Sequence, residues 1–180
     1  MEFDYELLRS CGEDVRISSK ATIKHPHLIS IGSHVAIDEC IITVQADLGD
    51  YIHISPYVTI IGGIKAFFQM GHFTAISAGV RIVCAGDGWM GDGFIGPTIP
   101  DKYRDKVINQ PVIMENFSGI CTNAVILPGV IIREGAVIVA NSYVTKNIPA
   151  WEIWAGTPAR KIKERPREEM LAYARELGYR

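Results

Sequence analysis

The clearest pattern in the chain is a six-residue repeat of large apolar positions between residues 114 and 149. Its head positions are Met114, Ile120, Ile126, Ile132, Ile138 and Val144. Smaller or branched residues follow each head four positions later, at Ser118, Ala124, Val130, Ala136, Ser142 and Ile148. Because residues two apart share one face of a strand, each hexad predicts a short strand with two inward side chains.

Each hexad also carries a turn signal three positions after its head. The residues there are Phe117, Asn123, Gly129, Gly135, Asn141 and Asn147. Except for the phenylalanine, these are residue types that tolerate positive φ, so every hexad predicts its own corner. A corner every six residues indicates a parallel β-helix, an all-β solenoid, since a sandwich turns about every 8–12 residues.

The repeat continues toward the N-terminus in a looser form. Its heads there are Cys11, Ile17, Ile23, Ile31, Ile37, Leu48, Ile54, Ile60, Met70, Ile76 and Ile82. Equivalent heads advance by 17 residues from Ile31 to Leu48 and by 22 from Leu48 to Met70, so small loops must lie at those corners. The whole pattern predicts about six coils.

A solenoid has two open ends, and terminal helices can cover them. We expect a short helix over Glu2 to Arg9 and a capping helix over Glu164 to Leu177. Their predicted packing positions are Phe3 and Leu7 in the first helix and Met170, Tyr173 and Leu177 in the second. The predicted organisation is therefore a β-helix domain over residues 1–163 and a C-terminal helix over 164–180.

Residues 87–111, here called the arm, interrupt the repeat. They contain seven glycines and prolines and have no hexad register. A long irregular insertion in a compact domain is usually functional or disordered, and this one carries several large apolar side chains. We expect the arm to reach over a ligand or a neighbouring subunit.

Composition narrows the function classes. The 180 residues carry a net charge of −2, so no basic field attracts nucleic acid. The four widely spaced cysteines indicate reduced thiols, and neither a signal peptide nor a long apolar stretch is present. We expect a soluble cytoplasmic protein without a membrane partner.

At this point the residues show a family resemblance. The segment ILPGVIIREGAVIVANSYVTKNIP, followed by WAGTPARKIKER, resembles the C-terminal coils of hexapeptide-repeat acyltransferases. The arm phrase GPTIPDKY is similar to N-acyltransferases that modify amino deoxysugars on nucleotide carriers. The resemblance implies a left-handed β-helix, a homotrimer with active sites between subunits, acetyl-CoA as donor and a nucleotide sugar as acceptor.

The resemblance also locates the catalytic position. Galactoside-type relatives carry a catalytic His in a TGH phrase where the long loop begins, and this chain has Ala85-Gly86-Asp87 there. Aspartate is a weaker base than histidine, but an amine needs only to lose its ammonium proton before it attacks. Asp87 therefore favours N-acylation, with His72, and after it His53, as rival bases.

Further residues receive expected roles. Ser77, Asp92 and Tyr103 are candidates for binding the acceptor, and Trp89 and Tyr103 for stacking on its base. What the resemblance implies for CoA is a set of contacts from Thr122, Ala140, Thr145, Lys146, Arg160 and Lys163. The last two belong to a run of five cations between Arg160 and Arg167, which suits phosphates but is equally typical of a solvated helix start.

The predicted activity is thus acyl-CoA-dependent acylation of a nucleotide-linked amino deoxysugar in surface polysaccharide biosynthesis. Two alternatives stay open, an O-acetyltransferase acting on a sugar hydroxyl and a non-catalytic β-helix that binds a partner. A zinc site of the kind found in β-helical carbonic anhydrases is not expected, because the paired GHxxxxH element is missing.

Overall fold

The computed structural model describes residues 3–88 and 91–179, which wind into six complete coils and part of a seventh. The strands of coils one to four are β1 (Ser10–Cys11), β2 (Val15–Ile17), β3 (Thr22–Ile23), β4 (Ile29–Ile31), β5 (Val35–Ile37), β6 (Ile41–Ile42), β7 (Gln45–Leu48), β8 (Ile52–Ile54), β9 (Thr59–Ile61), β10 (Phe67–Met70), β11 (Ala75–Ile76) and β12 (Arg81–Val83). The arm then contributes β13 (Ala85–Asp87) and β14 (Val107–Asn109). The remaining strands are β15 (Val112–Met114), β16 (Gly119–Ile120), β17 (Val125–Ile126), β18 (Ile131–Ile132), β19 (Val137–Ile138), β20 (Tyr143–Val144), β21 (Glu152–Gly156) and β22 (Ala159–Glu164).

Three parallel sheets form the sides of the solenoid. Sheet A contains the first strand of every coil, sheet B the second and sheet C the third. We call the edges between them the A–B, B–C and C–A corners. Ile31 pairs with Leu48 and Leu48 with Met70, which confirms the predicted advances of 17 and 22 residues.

The core is the predicted set of inward positions. All six heads between Met114 and Val144 are at most 2% exposed. The small positions are buried as well, including Ser118 and Ser142, whose hydroxyls donate to the carbonyls of Glu115 and Val139. Two polar side chains are thus accommodated without leaving an unsatisfied donor. The head in β1, Cys11, is exposed because this coil forms the open end.

The corners follow the turn signal at four of the six positions, and Phe117 and Asn147 depart from it in opposite ways. Asn123, Gly129, Gly135 and Asn141 have positive φ as predicted, and Phe117 adopts φ 61° although it is not a turn residue. Asn147 supports its corner differently, because its side-chain oxygen accepts a hydrogen bond from the N–H of Ile131.

Phe117 belongs to a stack of rings along the A–B corner, which we call the aromatic column. Its members all have φ between 55° and 61° and are His34, Tyr51, Phe73, Phe117 and Trp151. Successive ring centroids are 4.6, 4.8, 5.5 and 6.1 Å apart. Each residue in the left-handed backbone conformation destabilises the fold by about 1–2 kcal/mol, and each ring pair stabilises it by about 0.5–1.5 kcal/mol beyond its burial. Stacking therefore compensates for the backbone conformation.

The C-terminal segment packs along this column. Arg165 donates to the carbonyls of Phe117 and Gly135, and Ala174 is buried against Phe117 and Trp151. The helix α1 (Glu168–Glu176) is shorter than predicted because residues up to Glu164 belong to β22. Its predicted face was also partly wrong. Tyr173 and Leu177 are 60% and 53% exposed, while Met170, Leu171 and Ala174 make the contact.

The N-terminal prediction needs a similar correction. Within the described residues only a 3-10 turn, Tyr5–Leu7, forms, and two more such turns lie at Pro26–Leu28 and Asp101–Tyr103. Leu7 is 52% exposed whereas Leu8 is buried. The chain becomes extended at Leu8, so a full helical turn does not follow and the apolar residue one position later faces the core.

No helix in the described ranges, 3–88 and 91–179, has the length and apolar content needed to cross a bilayer.

Candidate active site

Asp87 lies at the C–A corner, at the point where the arm leaves the fourth coil. Its strand β13 pairs antiparallel with β14, so that Asp87 is opposite Val107. The returning strand of the arm thereby fixes the backbone of Asp87, and its side chain is only 14% exposed. The sequence-predicted carboxylate therefore has a defined position rather than lying in a loose loop.

Two groups from the arm contact this carboxylate, one at each oxygen. The N–H of Gly96 donates to Oδ2 at 2.9 Å, and Nε of Arg104 lies 3.8 Å from Oδ1. The guanidinium of Arg104 also lies 3.6 Å from Asp101. Such a carboxylate is oriented, partly desolvated and able to accept a proton from a ligand beside it.

A cavity of about 280 Å³ opens beside Asp87. Its remaining lining is small, apolar or cationic and consists of Gly62, Ala85, Gly86, Pro97, Arg104 and Val107. Gly86 has room above it, because an added Cβ would meet only Val83, at 3.8 Å. The cavity therefore leaves space for a small acceptor group next to the carboxylate.

Three other cavities are larger, at about 400 Å³ beside Tyr57, about 650 Å³ beside α1 and about 360 Å³ beside Asp38 and His53, whose side chains contact each other at 2.8 Å. In the first, Lys20 is paired with Glu39 and Arg81 donates to backbone carbonyls. The second is lined by one short stretch of chain, from Pro166 to Tyr173. We assign the site by its chemistry, because the Asp87 side chain is only 14% exposed, whereas Glu39 in the first cavity and Asp38 in the third are 35% and 42% exposed.

His72 lies at the A–B corner, away from Asp87. Its Nδ1 accepts a hydrogen bond from the N–H of Asp50 at 2.9 Å and lies 3.0 Å from the Asp50 carboxylate. The ring of Tyr179 is 5.1 Å away, and the Tyr179 hydroxyl donates to Asp50. Within one chain the structure does not bring the two candidate bases together, and it places His72 under the C-terminal segment.

Burial alone would raise the pKa of Asp50. Hydrogen bonds from the N–H of Ser33 and from Tyr179, together with His72 and His34, lower that pKa below its ordinary value. The Asp50 carboxylate is thus an ionised acceptor that ties the chain end to the coils.

The other acceptor-side candidates are dispersed. Ser77 follows β11 at the B–C corner, across sheet C from Asp87. Asp92 and Tyr103 are exposed on the arm, and the ammonium of Lys102 lies 4.5 Å from the Tyr103 ring centroid. Trp89 lies outside the described residues. A single chain therefore does not assemble these residues into one pocket.

The donor-side candidates fall at two edges of sheet C. Thr122 and Ala140 are exposed at the B–C corner of adjacent coils, where the N–H of Asn141 donates to the Thr122 carbonyl at 2.9 Å. Thr145 and Lys146 are at the C–A corner of the sixth coil. The Lys146 ammonium lies 5.2 Å from the ring centroid of Trp154, a buried residue of the seventh coil.

The structure divides the run of cations after Gly156. Lys161 pairs with Glu152 and Glu164, and the hydrogen bond to Glu152 raises the pKa of Lys161. Arg165 is half-buried and donates to backbone carbonyls, and its desolvation lowers its pKa. The other three, Arg160, Lys163 and Arg167, are exposed. Only these three are placed to meet a solvent-borne phosphate.

Two functional features were not predicted from the sequence. Arg104 carries no motif, because its partner Asp87 is 17 residues away across an irregular arm. The aromatic column was signalled only by Phe117, the residue that broke the Gly and Asn pattern. Among the described residues, no group of three or more metal-ligating side chains comes together.

Comparison with known proteins extends over nearly the whole chain. It is 34% identical over 164 residues to the dTDP-4-amino-4,6-dideoxy-D-glucose acyltransferase of Escherichia coli, spanning 89% of this chain and 84% of that protein. No family model matches the chain.

Solved structures agree. The fold is similar to AntD, an N-acyltransferase from Bacillus cereus, in complex with dTDP and 3-hydroxybutyryl-CoA, with a TM-score of 0.90, 34% identity and coverage of 99% of this chain and 98% of that one. A mutant of AntD in complex with dTDP-4-amino-4,6-dideoxyglucose and coenzyme A gives a TM-score of 0.91 and 34% identity, covering 98% and 96% of the two chains. These similarities confirm the predicted left-handed parallel β-helix.

Proposed function

The chain belongs to the hexapeptide-repeat N-acyltransferases that act on nucleotide-linked amino sugars, and on that premise we propose that its acceptor is a dTDP-linked 4-amino-4,6-dideoxy sugar. The donor is acetyl-CoA or another short acyl-CoA. The observation that carries this proposal is the similarity, over the coils and the arm alike, to an enzyme that binds both ligands.

In the proposed reaction the acceptor amine attacks the thioester carbonyl carbon. An N–C bond forms, the C–S bond breaks, and the electron pair of that bond leaves with the CoA sulfur. The proton lost by the amine passes to Asp87, and the thiolate takes up one proton, so that the products are an amide and free CoA. Asp87 is the proton acceptor in this scheme, and His72 is the alternative.

Aspartate suits an amine better than a hydroxyl. A neutral amine is nucleophilic without further activation, whereas a sugar hydroxyl must lose its proton as it attacks. The AntD structures include variants at a serine and an aspartate ten residues apart, which is also the spacing of Ser77 and Asp87. We therefore assign Ser77 to the same reaction centre.

For the donor we propose a path along the exposed corner residues. Thr122 and Ala140 line the B–C corner next to the pantetheine chain of CoA. Thr145 and Lys146 contact CoA from the C–A corner. Arg160 and Lys163 provide cations for its phosphates. In this scheme the Lys146 ammonium exchanges its contact with the Trp154 ring for a phosphate oxygen.

Two edges of sheet C separate Ser77 from Asp87, so we propose that a neighbouring chain completes each site in a homotrimer. The arm supports this arrangement. Phe94 and Tyr103 are 67% and 52% exposed along it, which is a large apolar surface for a free loop. Asp92 and Tyr103 would then contact the acceptor nucleotide held between two chains. We further propose that the enzyme works in the cytoplasm, in surface polysaccharide biosynthesis.

The test is a substrate screen that reads thiol release. dTDP-4-amino-4,6-dideoxyglucose and its 4-hydroxy analogue are each offered with acetyl-CoA and with 3-hydroxybutyryl-CoA. We expect release with the amino sugar and none above background with the hydroxy sugar. Turnover of the hydroxy sugar alone would establish O-acylation instead, and stabilisation by CoA without turnover of either would indicate a binding protein.

A further inference from the structure

We propose that Arg104 is a positioning residue for the proposed acylation. It holds the Asp87 carboxylate, and its charge allows the acceptor amine to lose its proton in the adjacent cavity. This inference rests on the proposed function, because it concerns the protonation of an amine beside Asp87.

The arm places Arg104 through backbone contacts on both sides of it. The N–H of Phe94 donates to the Tyr103 carbonyl, and the N–H of Asp105 donates to the Phe94 carbonyl, both at 2.8–2.9 Å. Gly93 lets these segments approach closely, since a Cβ there would lie 2.3 Å from the Asp105 nitrogen. The two ends of the arm tip are therefore locked together, and the Arg104 side chain projects from a fixed backbone.

The inner contact of Arg104 is electrostatically the stronger one. Asp101 is 94% exposed, whereas the side chains of Arg104 and Asp87 are 22% and 14% exposed. Charges interact more strongly where less water screens them, so the guanidinium acts mainly on Asp87 although its distance to Asp101 is similar. With the Gly96 N–H on one oxygen and the guanidinium beside the other, both oxygens of the carboxylate have a neighbour from the arm at the edge of the cavity.

The charge of Arg104 has a second consequence for an amine acceptor. Asp87 alone would hold an ammonium group as an ion pair and so preserve the unreactive form. Among the lining residues that the structure describes, Arg104 is the only other charged one, and the rest are Gly62, Ala85, Gly86, Pro97 and Val107. A cation next to an ammonium favours loss of the proton. The guanidinium thus offsets the attraction of Asp87 and favours the neutral, nucleophilic amine.

The variants are Arg104→Gln, Arg104→Lys and, as a matched control that removes only the outer partner, Asp101→Asn. Acceptor binding is measured by calorimetry at pH 7 without acyl-CoA, in two buffers with different ionisation enthalpies. We expect the wild-type enzyme to release protons when it binds dTDP-4-amino-4,6-dideoxyglucose, and Arg104→Gln to release fewer. Arg104→Lys and Asp101→Asn should behave like the wild type. The 4-hydroxy analogue, which has no amine, provides the blank.

Turnover gives the second readout. For Arg104→Gln we expect kcat to fall about tenfold to a hundredfold, because the carboxylate loses its orientation. The acidic limb of the kcat profile, which reports ionisations in the substrate complex, should move up by about one pH unit, because the bound amine keeps its proton longer. The KM for acyl-CoA should not change. Arg104→Lys keeps the charge and should restore the profile, which a purely structural role would not do.

The outcomes separate the two proposals. If the wild-type enzyme acylates the amino sugar but Arg104→Gln keeps both its proton release and its pH profile, the role of Arg104 is wrong and the proposed function stands. If the wild-type enzyme releases no thiol with the amino sugar, the proposed function fails and the inference fails with it. Should Arg104→Gln not fold, Arg104→Met, which keeps the aliphatic stem without the charge, replaces it under the same criteria.

Discussion

The A–B and C–A corners belong to the same repeat but have opposite properties. At the A–B corner, Phe117 and Trp151 are 4% and 7% exposed, and the C-terminal segment covers them. At the C–A corner, the coil opens at Asp87 into an arm, a carboxylate and a cavity. One backbone geometry thus supports both the A–B corner, against which the chain end packs, and the C–A corner, which carries the candidate active site. The side chains at the corners decide which of the two forms.

The largest effect, on kcat, should come from removing the negative charge of Asp87 at the C–A corner. We expect Asp87→Asn to lower kcat by about 10²- to 10⁴-fold, the range for loss of a general base. The melting temperature should hold, because the amide oxygen can still accept the Gly96 hydrogen bond. Thiol release with acetyl-CoA and the amino sugar measures the change.

The matched comparison is His72→Asn at the A–B corner. It should reduce kcat far less than Asp87→Asn while it lowers the melting temperature, because it removes a partner of Asp50. The reverse order of the two kcat values would identify His72 as the base.

The next largest effect, on stability, should come from truncating a buried ring at the A–B corner. Trp151 is buried, and its ring lies directly on Gly135. We expect Trp151→Ala to lower the free energy of unfolding by about 3–5 kcal/mol, the cost of removing a buried aromatic ring. Urea unfolding gives the value, and activity at low denaturant should persist. Trp151→Phe retains a stacking ring, so its free energy of unfolding should fall by less than half as much. An equal fall in the two variants would show that stacking is not the stabilising contact.

A smaller effect is expected at the donor side. Lys163→Ala should raise the KM for acyl-CoA about tenfold, or 1.4 kcal/mol, with kcat unchanged, because one phosphate contact is lost. Lys161→Ala is the control, since its ammonium is already paired with Glu152 and Glu164. Equal KM values for the two variants would remove Lys163 from the CoA site.

The smallest effect concerns how the stability provided by Asp50 at the A–B corner depends on pH. The folded state lowers the pKa of Asp50, so the stabilisation it provides is present above the unfolded pKa of about 4 and is lost as pH falls through the lower folded value. We expect Asp50→Asn to be about 1 kcal/mol less stable than the wild type at pH 7. That gap should narrow in acid, as measured by unfolding at pH 7 and pH 3. A gap that widens in acid would contradict the assignment.

Local pattern was sufficient for most of the fold. The hexad heads, the small inward positions and the uneven advances of 17 and 22 residues are all in place. Each of these features depends on residues two to six apart, and the strand period and the corner residues report on them directly. The choice of Asp87 had a different basis, the family resemblance, because Ala85-Gly86-Asp87 occupies the place of the TGH phrase of relatives.

The terminal elements show where local pattern fails. An apolar stripe of Met170, Tyr173 and Leu177 marked a helix, but of these only Met170 joins the contact, together with Leu171 and Ala174. The face was decided by Arg165, which fixes the segment before the helix to the carbonyls of Phe117 and Gly135. Periodicity shows that a helix has an apolar side and does not show which surface meets it.

By itself the sequence determined the coil, its register and its buried positions, because these depend on short-range periodicity and on residues that favour a corner, while the choice of Asp87 came from the family resemblance. Only the tertiary structure decided that Arg104 returns to Asp87, that Lys161 and Arg165 are already engaged, and that His72 lies beneath Tyr179. Those contacts join residues from 9 to more than 100 positions apart, and such pairs depend on how the arm and the chain end pack against the finished coil.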